Sequence, residues 1–246
     1  MGNYFTVTVK PYIAPTDQAL GAFADNDVLF NWTEFDIPKG ANKLIGAVAL
    51  IRGTDGAAQS TAFNFYIAKT INGSQPGNIG TVHATAGGND YQNSLIGGFQ
   101  IEEADVLAGL DIMNVGMGRF NRGNFYPQVL EGEPDSGTNV GYDKLYLAST
   151  VLDGTPNFAS TVQVDGNQLP TNPPLTTLTV KTTSARTNFD VGDVLQDESK
   201  TALGTVAKIN SATEILLDEN GLLNVATNNQ DVYNTQPVTI ILSFER

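Results

Sequence analysis

The chain is a succession of short β-rich runs, each cut off by turn residues before a helical period can establish itself, and this confines it to an all-β fold. The C-terminal part shows the pattern most plainly. Phe189-Asp190-Val191-Gly192-Asp193-Val194-Leu195 is followed by Leu203-Gly204-Thr205-Val206-Ala207-Lys208-Ile209, by Glu214-Ile215-Leu216-Leu217, and by the closing Pro237-Val238-Thr239-Ile240-Ile241-Leu242-Ser243-Phe244. The 25 glycines and 11 prolines are spread along the chain rather than clustered, as expected where many strands each need a reversal.

The first half reads the same way. Residues 4–9 alternate large apolar side chains with threonine, a period of two, and Lys10-Pro11 ends the run. In residues 28–37, Val28, Phe30 and Trp32 share one register, with Trp32 read as a core side chain. Phe35 and Ile37 share another, so a bulge is expected near Thr33 or Glu34. Residues 43–52 form a nearly continuous apolar run, expected to be a strand buried on both faces with residues 62–69 as its antiparallel neighbour; a helix over 41–50 is the alternative. Residues 71–89 predict a surface loop, and 95–102, 111–115 and 142–151 further strands. Residues 102–110 are the best helical segment, with acidic residues at the start and glycine near the end.

The densest proline cluster, Leu169-Pro170-Thr171-Asn172-Pro173-Pro174, marks a seam. It divides the chain into a jelly-roll-like β-sandwich over 1–168 and a small β-barrel domain over 169–246. A second arrangement is open, in which 178–181 and 238–244 belong to the sandwich and 183–233 is an inserted barrel. The final strand, 237–244, is too apolar to be left as an exposed tail.

Charge and composition exclude several roles. A net charge of −13, from 13 Lys and Arg against 26 Asp and Glu, opposes binding to a phosphate backbone, so no nucleic acid partner is expected. With no cysteine there are no disulfides, thiolate metal sites or cysteine nucleophiles. No run approaches the ~18 apolar residues that span a bilayer, so no membrane partner is expected. The start, Met1-Gly2-Asn3-Tyr4-Phe5, lacks a basic stretch followed by an apolar one, from which synthesis and folding in a cytoplasm are expected.

Catalytic groups do not assemble in the sequence. The single histidine, His83, has no serine, acid or second histidine at a recognisable spacing. Asp25-Asn26-Asp27 and Glu131-Gly132-Glu133-Pro134-Asp135 offer oxygen ligands but lie among turn residues and lack the calcium-loop pattern, so no metal or cofactor is expected. Adjacent acids such as Glu102 and Glu103, or Asp197 and Glu198, point to opposite faces of a strand, whereas glycoside hydrolysis needs two carboxyl groups flanking one bond. Around Gly116-Met117-Gly118-Arg119-Phe120-Asn121-Arg122-Gly123 the chain is locally basic, aromatic and glycine-rich. Arg119, Phe120, Arg122, Phe125 and Tyr126 are the candidate interface residues, against the plainer reading of an ordered loop packed on its own sandwich.

Residues 189–195, followed by Leu203-Gly204-Thr205-Val206, resemble small β-barrel domains in structural proteins of tailed bacteriophages. The 28–37 strand, the Pro38-Lys39-Gly40 turn and the apolar 44–51 strand are similar to the jelly-roll part of such virion proteins. The resemblance covers about two-thirds of the chain and rests on β-turn-β patterns. It implies a protein without enzymatic activity that is made in a bacterial cytoplasm and built into the virion, and within that class a capsid decoration or cement protein. The implied partners are further copies of itself as a homotrimer, and the major capsid protein or other virion proteins. A compact tail or baseplate protein, or a carbohydrate-binding attachment protein, is the alternative.

Overall fold

The computed structural model describes residues 3–53, 61–103, 106–107, 113–118, 127–134, 141–181 and 185–246. The protein is all-β. Its strands are β1 (Tyr4–Val9), β2 (Val28–Asp36), β3 (Asn42–Ile51), β4 (Ala62–Ala68), β5 (Leu95–Ile101), β6 (Val106–Leu107), β7 (Asn114–Gly118), β8 (Gln128–Leu130) and β9 (Lys144–Asp153), then β10 (Thr177–Thr179), β11 (Val194–Gln196), β12 (Ala202–Ile209), β13 (Glu214–Leu217), β14 (Tyr233–Asn234) and β15 (Val238–Glu245). Two four-residue helices, α1 (Pro15–Gln18) and α2 (Ala185–Asn188), interrupt them.

Two antiparallel sheets enclose the main core. One has the order β1-β15-β3-β7-β6, with β8 pairing β3 beside β7; the other has the order β2-β9-β4-β5. Strand alternation accounts for the packing between them. Phe5, Val7 and Val9 of β1, Ile240, Leu242 and Phe244 of β15, and Leu44, Ala47, Ala49 and Ile51 of β3 face Phe63, Phe65, Ile67, Leu145 and Leu147 of the opposite sheet. Phe65 is 1% exposed and stacks on Phe99 at 4.8 Å between ring centroids, with Phe30 and Phe63 beside it.

Several sequence expectations change here. The 43–52 run is a strand, not a helix, but it is buried on one face only. Its outward side chains Ile45, Val48 and Leu50 are half-buried by neighbouring strands, which is how an apolar run survives on a one-sided sheet. Its partners are β15 on one side and β7 and β8 on the other, while β4 lies in the opposite sheet and pairs with β5 and β9. Hydrophobic strands close in sequence have thus become facing layers rather than a hairpin. The irregularity expected near Thr33 is there as a register shift between Phe30 and Thr33, and a second lies earlier, between Val28 and Phe30, after which Thr33 to Asp36 run in register with β9. It turns Phe30 into the main core and leaves Trp32 in a satellite cluster on the outer side with Val28, Ile79 and Ala148. Within the expected helix 102–110, Val106 and Leu107 form β6 on β7; 104–105 and 108–110 lie outside the described residues.

The loop 71–94 covers the outer face of the β2-β9-β4-β5 sheet. The Trp32 indole N–H donates to Gly77 O at 2.7 Å, Asn31 bonds Gly80 O and Ile79 N–H at 2.9 and 3.0 Å, and Val28 bridges to Val82.

A second core lies within residues 162–232. It joins Val162 and Val164, which precede the proline cluster, to Leu178, Phe189, Leu195, Leu203, Ile215 and Val232, which follow it. Its sheet has the order β10-β13-β12-β11-β14. The extended residues 162–168 bridge the two ends of that sheet, through Val164 to Val180 on one side and Gln163 to Asp231 on the other. Gly204 sits where β12 curls: its φ is +150°, and a Cβ there would stand 3.0 Å from Gly221 O and from a Leu217 methyl, so only glycine fits without strain.

Replacing Phe65 by alanine is expected to cost about 3–5 kcal/mol of unfolding free energy, because the side chain is fully buried in the main core at the centre of the Phe30, Phe63 and Phe99 cluster. Urea denaturation checks it, and a loss below about 1 kcal/mol would mean that the aromatic cluster collapses around the gap.

Candidate functional site: the cleft between the two β-units

The end of β3 brings Arg52 to the place where the chain leaves the second core for β15. Its backbone N–H donates to Pro237 O at 3.0 Å, which fixes the root of the side chain beside the crossing. The guanidinium then reaches across. It pairs with Asp190, donates from Nη1 to Asn188 O at 3.4 Å, and lies 3.6 Å from Asp193 Oδ2. Asp193 is set by the tight turn before β11, where its Oδ2 accepts the Asp190 N–H at 2.7 Å and the Asn234 side-chain amide at 2.8 Å.

A second tie comes from the stretch after β1. Gln18, 1% exposed, donates to Ile13 O at 2.7 Å and to Asn234 O at 2.9 Å. Ile13 N–H donates to Thr235 O, Tyr12 O–H to Gln196 Oε1, and the Gln236 amide to Lys10 O. Beside this seam opens a cleft of about 290 Å³, lined by Lys10, Leu50, Arg52, Asp190, Val191 and Thr239 among others. Clefts between units are where ligand sites commonly form. Within it Arg52 pairs with Asp190, and Asp193 is bonded by the Asn234 amide and the Asp190 N–H, so these groups clasp the two stretches of chain together.

Burial is the largest influence on Asp193 and raises its carboxyl pKa. The Asp190 N–H and the charges of Arg52 and Lys10 pull it down, and the Asp190 charge pushes it up. Its folded-state pKa therefore lies above the ~3.9 of an unfolded aspartate. The native state holds the proton more tightly, and stability falls as pH rises from about 4 through the folded pKa.

The residues singled out in the sequence occupy other places. His83 has a φ of 61°, packs its ring on Phe23 at 4.3 Å and sets Nε2 3.4 Å from Gly21 O. Asp27 accepts the Ala24 N–H at 2.9 Å in a turn. Glu133 accepts the Thr70 hydroxyl and the Gly73 N–H, each at 2.9 Å, and the Asn72 N–H, which pins one loop to another. Asp197 accepts the Thr201 N–H at 2.7 Å and the Gln230 amide at 2.6 Å. Glu102 and Glu103 do not point to opposite faces as expected: they follow the end of β5 rather than lying in it, and both line one open acidic cleft with Asp25 and Asp153. Arg119, Phe120, Arg122, Phe125 and Tyr126 lie outside the described residues.

On the β2–β9 surface, Lys144 pairs with Glu34 and lies 3.5 Å from Asp36, and Tyr146 donates to Glu34 at 3.0 Å. Burial, then Glu34, pushes the Tyr146 hydroxyl up to about 12, so it stays protonated at neutral pH. Among the described residues no three His, Cys, Asp or Glu side chains are grouped to hold a metal ion, and no helix is long and apolar enough to cross a membrane.

Arg52, Asp193, Gln18 and Asn234 were not legible as a group. Asp193 reads as a turn residue and Arg52 as the end of a strand, and only the fold brings them together. Comparison of the chain with protein-family models, curated proteins and solved structures finds no match.

Arg52→Ala is expected to cost about 3 kcal/mol at pH 7, since it strands a buried carboxylate. Asp193→Asn is expected to equal or exceed the wild type at pH 7 by up to about 1 kcal/mol, with the advantage gone below about pH 4. Urea denaturation at both pH values tests the pair. A larger loss in Asp193→Asn would mean that the attraction of Arg52 outweighs the cost of burial.

Proposed function

We propose that this chain is a non-enzymatic structural protein of a tailed-bacteriophage virion, acting as a capsid decoration or cement protein that stabilises the shell through contacts between subunits. The observation that carries the reading is the strand order. β1-β15-β3-β7 facing β2-β9-β4-β5 is the order produced when an eight-stranded jelly roll is wound, with the chain crossing between sheets at β1 to β2, β2 to β3, β3 to β4, β5 to β6, β8 to β9 and β9 to β15. Jelly rolls serve in viral capsids, lectins and cupins, so the fold alone does not choose among them. The phage resemblance at 28–51 and 189–206 favours the first, and the acidic, cysteine-free composition is compatible with it.

In this reading the second core is a small barrel, closed by residues 162–168 and inserted between β9 and β15. The clasp of Arg52, Asp193, Gln18 and Asn234 holds it at a fixed angle on the sandwich, as a rigid bridge between capsomers requires. Copies associate as a homotrimer, with Arg119, Phe120, Arg122, Phe125 and Tyr126 supplying contacts to each other or to the major capsid protein. The protein resides in the virion.

A carbohydrate-binding role draws little support from Trp32. Its indole N–H is engaged by Gly77 O and its ring is half-buried beside Tyr91, so it forms no open stacking platform.

The test is co-sedimentation of the purified chain with tailed-phage heads stripped of accessory proteins, together with heads' resistance to heat. Saturable binding that raises the temperature of shell rupture is expected, and Phe120→Ala with Arg122→Ala is expected to weaken it about tenfold or more. Binding to tails instead would move the protein to the tail or baseplate. A chain that ignores both, with turnover or retention on a glycan panel, would overturn the proposal.

A further inference from the structure

Sheet edges are where one chain can recruit another, because an edge strand presents unpaired N–H and C=O groups. Two of the four sandwich edges are closed from within. The β5 edge is capped by Gln128, whose side chain accepts the Gly98 N–H at 2.9 Å and donates to Gly98 O at 2.5 Å. Glycine at 97 makes room for it, since a Cβ there would stand 2.1 Å from Gln128 Oε1. The β2 edge carries two register shifts, the charges of Glu34 and Asp36, and bridges from residues 82–85 to Asp27 and Val28. Among the described residues the β6 edge is two residues long.

The β1 edge has none of these devices. Its six residues, Tyr-Phe-Thr-Val-Thr-Val, contain no charge and no proline, and its pairing with β15 runs without a bulge. Asn3 and Arg246 exchange hydrogen bonds, so Phe5, Val7 and Val9 turn their backbone groups toward β15, while Tyr4, Thr6 and Thr8 turn theirs away. Among the described residues nothing bonds those outward groups. Beneath the edge, Phe5 and Val7 face the core yet are only half-buried, so the margin of the sandwich is open there.

We propose that β1 is a pairing edge for a second copy of this chain, the two β1 strands running antiparallel about a two-fold axis at Thr6. The strand is its own complement. In that register Thr6 opposes Thr6 of the second copy, Tyr4 opposes Thr8 and Phe5 opposes Val7, with about six new backbone hydrogen bonds. Phe5 and Val7 then shelter each other across the axis. Charge also selects this occupant. Two copies that each carry a net charge of −13 repel over most of their surface, and β1 is a place where they meet without setting like charges opposite. A strongly basic or acidic foreign strand would find no counter-charge on it. The inference does not depend on the virion reading: pairing at β1 turns a monomer into a dimer, or a trimer into a pair of trimers.

Light scattering over a range of concentrations, with far-UV circular dichroism on the same samples, tests it. The wild type is expected to show an even number of copies. Thr6→Pro removes an N–H that points away from β15 and should halve the native mass with the spectrum unchanged. Thr6→Lys should halve it too, by opposing like charges. In this cysteine-free chain Thr6→Cys should yield a covalent dimer with a short bis-maleimide, and Lys208→Cys should not. A wild type that stays monomeric or odd-numbered throughout, or a mass that neither Thr6 variant moves, overturns the proposal. If Thr6→Pro unfolds, Thr6→Lys and the cross-link decide. Thr6→Lys that has lost pairing but still binds heads would leave the virion reading standing; wild-type pairing without head binding would leave only the edge.

Discussion

The structure depends on the pairing of β15 between β1 and β3. Until the last strand is in place, the larger sheet has no centre, since β1 meets β3 only through it. Its inward Val238, Ile240, Leu242 and Phe244 are each 1% exposed or less, so the end of the chain supplies the middle of the core. Beyond Phe158, which still belongs to the main core, the chain after β9 leaves the sandwich and must come back to the opposite sheet as β15. The chain achieves this by building the second core on the excursion, with β14 ending four residues before β15 begins. Contacts of this sequence separation are costly to nucleate, and the fold is of the slow, non-local kind.

That return explains why the polar seam lies where it does. An excursion that leaves from β9 in one sheet and returns to β15 beside β3 in the other has to satisfy its backbone at the neck, and the neck is where Arg52, Gln18, Asn234 and Asp193 bond one another and the backbone of residues 13, 188, 190 and 237. Burying a carboxylate there has a cost, seen in the raised pKa of Asp193. Hydrophobic residues of like volume would bury with less penalty but would leave those backbone groups without partners. The network accepts that cost and keeps the backbone groups of the neck satisfied.

The sequence showed the β-character, most strands and the apolar last strand, because alternation and turn chemistry are local. It did not show which strands pair. Residues 43–52 read as doubly buried because every outward position between Lys43 and Arg52 is apolar or glycine; yet Ile45, Val48 and Leu50 are only half-buried, and Val48 and Leu50 lie beside Ile241, Met117 and Val115 of neighbouring strands, at a distance no window detects. Trp32 was misplaced for a related reason. Two register shifts in β2 reverse the parity on which its reading rested, and a bulge has no sequence mark of its own here. The clasp was invisible because each member has an ordinary local role.

Edges reverse this balance between local and distant. The closures of β5 and β2 come from elsewhere in the chain, from Gln128 and from residues 82–85, and could be recognised only once the fold was known. The bareness of β1 is written in six consecutive letters with no charge, proline or glycine. An unprotected edge is a hazard for a lone molecule, and natural sheets usually spend a lysine or a bulge to avoid it. Lys10 follows immediately but lies beyond the pairing register, turned instead to the seam where its carbonyl takes the Gln236 amide. A single charge at Thr6 or Thr8 would have blunted the strand without disturbing the core, because both side chains point to solvent. The two positions hold threonine, a residue suited to cross-strand pairing, and that choice makes the edge a surface for association rather than a defect.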